Sequence, residues 1–183
     1  MWPILLIAIF FIVNFIITNR QATHPIVHFH TLFSKKPFVG AKMAISSHLT
    51  LLTGIAGINV YIVRILKLPF DISLHFYFFF FVGVIITGIL KMFFYSSVGA
   101  GFLGTLGSSA LLYVSIHWII LGNTINIPLL YIQGLLLGFG ASMTLVSGSM
   151  ATLLDGDLKE AAQRSQTMHT IRNFSAAMLI PII

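Results

Sequence analysis

The chain has no cysteine among its 183 residues. That excludes a disulfide frame, a thiol nucleophile and a thiolate metal site, and decides nothing about redox compartment. Charge is scarce as well. Only 8% of residues are charged, against about a quarter in ordinary soluble domains. Disordered chains, solvent-facing coiled coils and most water-soluble enzymes are therefore excluded. Negative charge is rarest of all: four carboxylates, Asp71, Asp155, Asp157 and Glu160, and all of them fall in connections between apolar runs. Proton-coupled carriers usually hold a carboxylate within the membrane, and no apolar run here contains one.

What is abundant is apolar surface: 57% of residues are hydrophobic, with a mean hydropathy of +0.99. A spanning helix needs about 20 mainly apolar residues. On that rule the chain divides into candidate spans at 1–18, 42–66, 73–95, 101–121, 128–154 and 170–183, the last of them short for a crossing. The run 1–18 differs from a secretory signal because no basic residue precedes it and no small-residue cleavage site follows. Barrel strands would alternate in roughly ten-residue pieces, and stretches such as PILLIAIFFIV and FYFFFFVGVII do not. The expected fold is all-α: a polytopic transmembrane bundle of about six helices.

The ten Lys and Arg give a net charge of +6, and their placement explains the excess. Arg20, Lys35, Lys36, Lys42, Lys91, Lys159, Arg164 and Arg172 fall on connections or helix ends of one side, leaving Arg64 and Lys67 for the other. Eight bases against two put the first side in the cytoplasm and the N-terminus outside. Trp118 and Tyr113 suit an outer aromatic belt. The basic balance is thus a topology signal, with the lipid bilayer as partner and no nucleic acid expected.

Within the spans, the second is the most informative. Ser46, Thr50, Thr53, Gly57, Tyr61 and Arg64 recur at steps of three or four and share a helical stripe. Such a stripe faces protein or water, since hydrocarbon offers no hydrogen-bond partners. Two readings remain open: the wall of a substrate path (Ser46, Thr50, Thr53, Gly57) or close packing through small residues. Gly134 and Gly138 in the fifth span and Gly104 in the fourth have the spacing of backbone-to-backbone packing. The aromatic run 76–81 is expected mostly to face lipid, and Lys91 to snorkel to the cytoplasmic edge. His48, His117 and His169 are expected as hydrogen-bonded packing residues. His24, His28 and His30 sit in a loop without carboxylates, so no metal and no cofactor is expected.

Two segments resemble a known family. The segment 18–38, TNRQATHPIVHFHTLFSKKPF, is similar to a cytoplasmic connection of the fourteen-span drug/proton antiporters of the major facilitator superfamily. There a basic cluster and Asn-Pro precede Leu-Phe, further bases and a Phe. His24-Pro25 stands for Asn-Pro here, with Leu32-Phe33, Lys35-Lys36 and Phe38 following in order. The segment 134–183 is similar to that family's late loop, where an acidic-basic stretch leads to Asn-x-x-Arg-Gln. Arg172 matches the arginine, His169 stands for the Asn, and Ser175 occupies a Gly position. In the third connection the family's Gly-x-x-Asp-Arg-x-Gly is represented only by Gly88-Ile89-Leu90-Lys91, so its charge latch is not carried over.

The resemblance implies one half of a major facilitator fold, with 1–18 as the helix before the bundle, 19–41 as a cytoplasmic connection and 42–183 as a partial C-terminal bundle. It implies a piece of a proton-coupled efflux carrier for multiple drugs or small molecules, in a bacterial inner membrane. The carrier would work by alternating access with an N-terminal half that this chain lacks. Arg172 beside Asp155, Asp157 or Glu160 would form a cytoplasmic gating network. Two rivals stand beside that reading. One is a non-transporting membrane subunit. The other is an intramembrane serine protease built on Ser142 and His169, which the expected depths oppose: Ser142 lies within the fifth span and His169 at the cytoplasmic start of the sixth.

Overall fold

The computed structural model describes residues 2–23, 25, 27, 28, 35–120, 126–154 and 158–179. All regular structure among them is helical. Helix α1 runs Trp2–Gln21, and α2 runs Lys35–Asn59 and continues into a π-helical segment, Val60–Ile65. One long helical run, α3 (Phe70–Ile120), is followed by α4 (Ile127–Leu154), a 3-10 turn at Leu158–Glu160 and α5 (Ala161–Leu179). Among the described residues, three helical stretches are long and apolar enough to cross a bilayer: Lys36–Ile65, Phe70–Ile120 and Ile127–Leu154. By that measure the chain is an all-helical, multi-pass membrane protein.

The 51 residues of α3 would extend roughly 76 Å as a straight helix, more than twice a hydrocarbon core of about 30 Å. The helix does not run straight. Gly99 has φ 74° and ψ 171°, a conformation that side chains exclude and glycine adopts freely. It divides α3 into a first arm (70–98) and a second arm (100–120). Contacts with α4 show the reversal. Phe76, Phe80 and Lys91 of the first arm meet Gly134, Gly138 and Met143 in rising order. Gly104, Gly107, Leu111 and Trp118 of the second arm meet Ser147, Thr144, Gly140 and Gln133 in falling order. The arms are antiparallel and share α4, the most buried of the three long helices.

The first arm sits on α4 through glycine. A Cβ at Gly138 would strike the Phe80 carbonyl, one at Gly83 the Leu135 carbonyl, and one at Gly134 would come within 2.8 Å of the Phe76 carbonyl. Backbones this close gain dispersion and Cα–H···O contact, the forces left to helices in lipid. The aromatic run, expected mostly to face lipid, is divided by face. Phe76 and Phe80 are buried over the glycines, while Phe78 and Phe81 point outward. Tyr77 donates to Asn59 Oδ1 at 2.7 Å and ties the arm to α2.

Helix α2 runs antiparallel to α4: Gly40 abuts Gly148 and Thr152, Ser47 donates to the Ala141 carbonyl (3.0 Å), and Gly54 faces Leu137. Helix α5 begins at Ala161, earlier than the expected start near residue 170. Its Met168 packs on Ala41 and Ala44 of α2. The connection after α1 is tied down by Asn19, which brackets the Val27 backbone at both N–H and C=O, and by the His28 N–H on Thr167 Oγ1 (2.9 Å). Thus the start of α2, the Gly99 reversal and the end of α4 lie at one end of the bundle. The π segment, with Arg64 in its last turn and Lys67 beyond it, Trp118 and the start of α4 lie at the other.

Candidate functional site: a hydroxyl-lined cleft

Helix α2 and the second arm of α3 both rest on α4 but scarcely touch one another. They meet at two levels. Toward the Gly99 end, the Met43 sulfur occupies the space where a Gly104 Cβ would lie, 2.6 Å away. Toward the other end, the Trp118 ring lies against Gly54, 3.5 Å from its Cβ position. Between these contacts is a cleft of about 240 Å³, lined by Ser46, Ser47 and Thr50 of α2, Ser108 and Ser115 of the second arm, and Thr144 of α4, with Leu111 and Leu112 of the second arm completing the wall.

Hydroxyls line the cleft because residues three and four apart share a helical face. Most direct their proton back to their own helix. Thr50 donates to the Ser46 carbonyl (2.9 Å), Ser108 to Gly104 (2.9 Å) and Thr144 to Gly140 (2.8 Å), while Ser46 donates to Met43 (3.2 Å). A hydroxyl that has given its proton keeps acceptor lone pairs. The cleft therefore sets weak acceptors beside the apolar Leu111 and Leu112 at membrane depth, suited to an amphipathic ligand that brings donors.

The four residues of the expected path separate. Ser46 and Thr50 line the cleft; Thr53 is exposed and bonds the Leu49 carbonyl (2.9 Å); Gly57 lines a different cavity. Of the three packing glycines, Gly134 and Gly138 lie under Phe76 and Phe80, and Gly104 under Met43.

Of the expected gating charges, the described residues include Glu160 and Arg172. Glu160 approaches Arg164 at 3.7 Å rather than Arg172, since 160 and 164 are one turn apart. Asp155 and Asp157 lie outside the described residues. Arg172 has its Nε buried without a hydrogen-bond partner among the described residues. Lys91, expected at the cytoplasmic edge, instead donates from Nζ to the Met143 carbonyl of α4 at 2.9 Å. The bond turns it inward, because a carbonyl between two packed helices is within its reach. His169 lies in the third turn of α5 rather than at a helix start, and Ser142 makes no hydrogen bond to its ring among the described residues. His24 and His30 lie outside the described residues, and no metal-holding group occurs among those described.

Two residues escaped the sequence reading. Arg164, only 1% exposed, donates from Nε to the Thr152 carbonyl and from Nη2 to the Leu153 carbonyl, both at 3.0 Å. It closes the C-terminus of α4, where carbonyls lack helical partners and a cation complements the dipole. Counted only as a loop base, it gave no signal of burial. The other is Gln133, the one amide side chain in α4. A single Gln in an apolar helix was the available signal. Compared with known proteins, the chain matches no family model, no curated protein and no solved structure.

Proposed function

We propose that the chain forms part of one helix bundle of a membrane carrier for small molecules, akin to the drug/proton antiporters that segments 18–38 and 134–183 resemble. In this reading it works with a second bundle by alternating access. The observation that supports it is the hydroxyl-lined cleft between α2 and the second arm, bounded at one end by Met43 on Gly104 and at the other by Trp118 on Gly54. Small displacements at one contact would open the cleft to one side while the other stays shut. A methionine suits such a contact, being flexible and polarizable. The donor-bearing substrate would be an amphipathic or cationic small molecule, exported with proton coupling across a bacterial inner membrane. Arg172 and the charged connection before α5 (Asp155, Asp157, Glu160) would bias the cytoplasmic side.

The absence of native cysteine makes the test clean. Single substitutions Ser46→Cys, Thr50→Cys and Ser108→Cys are placed in sealed vesicles and treated with a membrane-impermeant cationic methanethiosulfonate. Leu74→Cys and Phe78→Cys, at exposed apolar positions, serve as lipid controls. The carrier reading expects labelling of the cleft positions, from alternate sides when the partner bundle is present and a proton gradient is reversed. Cleft positions as silent as Leu74→Cys and Phe78→Cys would defeat it.

A second reading, a static membrane subunit, is favoured by one observation: the cleft hydroxyls are largely satisfied by their own helices. It expects silent cleft cysteines and no gradient-driven flux, with or without a second bundle.

A further inference from the structure

A second cavity, of about 270 Å³, lies at the opposite end of the bundle from Gly99, beyond Trp118. Two local departures create it. The π segment Val60–Ile65 widens the last turns of α2, a feature often found at functional sites. One turn earlier, Gly57 carries no side chain, and a Cβ there would meet nothing within 4 Å. Ile58, Ile65, Leu129 and Leu130 supply apolar walls and Trp118 a ring face.

Gln133 gives the cavity its chemistry. The side chain is 1% exposed, and its Oε1 accepts the Trp118 indole proton at 2.8 Å. An indole N–H only donates, so this bond assigns oxygen and nitrogen of the amide unambiguously. The Nε2 group is then left as a buried donor, with no partner among the described residues. An unmade bond of this kind is unfavourable in an interior, and more so where lipid replaces water. Tyr61 and Asn126 complete the lining, and among the described residues neither takes the Gln133 Nε2 proton.

We propose that this cavity binds a small, neutral, largely apolar molecule carrying a carbonyl-type acceptor. Its oxygen takes the Gln133 Nε2 proton, and its body fills the space beside Gly57 and the Trp118 ring. Neutrality follows because no charged side chain is among the described residues that line the cavity. The acceptor chemistry is shared by a free carbonyl compound and by the ester of a membrane lipid.

The test uses the full chain in nanodiscs, with Trp2→Phe leaving Trp118 as the reporter of the two tryptophans. Fluorescence quenching is titrated with para-bromoacetophenone and with para-bromocumene, which has nearly the same shape and no acceptor. The expected result is saturable quenching, with the ketone binding about tenfold more tightly, the equivalent of one net hydrogen bond. Gln133→Met removes the preference, and Gly57→Phe, which places a ring in the cavity and leaves Gln133 in the sequence, removes saturable quenching by both probes. Diether and diester phosphatidylcholine discs separate the sources. Weaker ketone binding in diester discs identifies the lipid ester as the resident acceptor; equal binding assigns the cavity to a free molecule. Quenching that never saturates, equal affinity for the two probes, or a preference that survives Gln133→Met overturns the proposal. Saturable quenching that persists in Gly57→Phe overturns it as well.

Discussion

The two arms of α3 lie on the same helix, α4, with opposite results. The first arm is pressed onto α4 until Phe80 and Leu135 carbonyls occupy the space of absent glycine side chains. The second arm also touches α4 through glycine, at Gly104, Gly107 and Gly140, yet it leaves a cleft on its flank toward α2. Small residues produce a dry seam where they face another backbone. Where hydroxyls face hydroxyls across two helices, most of them bonded to their own backbone, they hold surfaces apart and leave acceptors between them.

The sharpest way to break this contrast is Gly138→Leu. Backbone atoms of Phe80 stand in the way and cannot swing aside as a side chain would, so the cost should reach about 3 kcal/mol or more. Loss of monodisperse protein in detergent is expected, whereas Gly88→Ala, with nothing within 4 Å, should be neutral or stabilising by up to about 1 kcal/mol. Equal melting temperatures for the two variants would remove the distinction between seam and cleft.

Arg164→Met comes next. It keeps the side-chain bulk but leaves the Thr152 and Leu153 carbonyls without the guanidinium. A loss of about 2–4 kcal/mol is expected, read as a lower melting temperature, with α4 fraying first by hydrogen exchange at residues 150–154. Uniform exchange along α4 would show that the arginine does not cap it.

The smallest effect on the fold is expected from Thr50→Val on the cleft wall. The hydroxyl bonds only its own helix, so stability should change by less than about 1 kcal/mol. In the complete carrier, flux should nevertheless fall while insertion is unchanged. Undiminished flux at equal expression would assign the cleft to packing alone.

The helical, membrane-spanning character is legible because lipid admits few alternatives: an apolar run without alternation must bond its own backbone. The run behind α4 is bounded on both sides by polar residues, and its boundaries are visible for that reason. The Gly99 reversal falls in the gap between the expected spans 73–95 and 101–121, but its tightness is not legible, since the sequence there (Tyr-Ser-Ser-Val-Gly-Ala-Gly) carries no charge and only one residue turns. Helix α5 begins before residue 170 because hydropathy detects lipid-facing surface, and AAQRSQTMHT is instead a polar helix folded onto α2 and α4. The stripe on α2 was correctly placed on one helix, but α2 is long enough for its members to pass two different neighbours. Ser46 and Thr50 therefore reach the cleft and Gly57 the outer cavity.

Sequence alone determined that this is an apolar helical chain with its cations gathered near particular helix ends, and which small or polar residues share a face. Those properties follow from composition and from the turn of the helix, and both are local. Only the tertiary structure decided what each face meets: Phe80 over Gly138, Arg164 on the end of α4, Gln133 with one proton unclaimed. Partners are set by helix rotation, crossing and the single reversal at Gly99, and these depend on contacts between residues far apart in the chain.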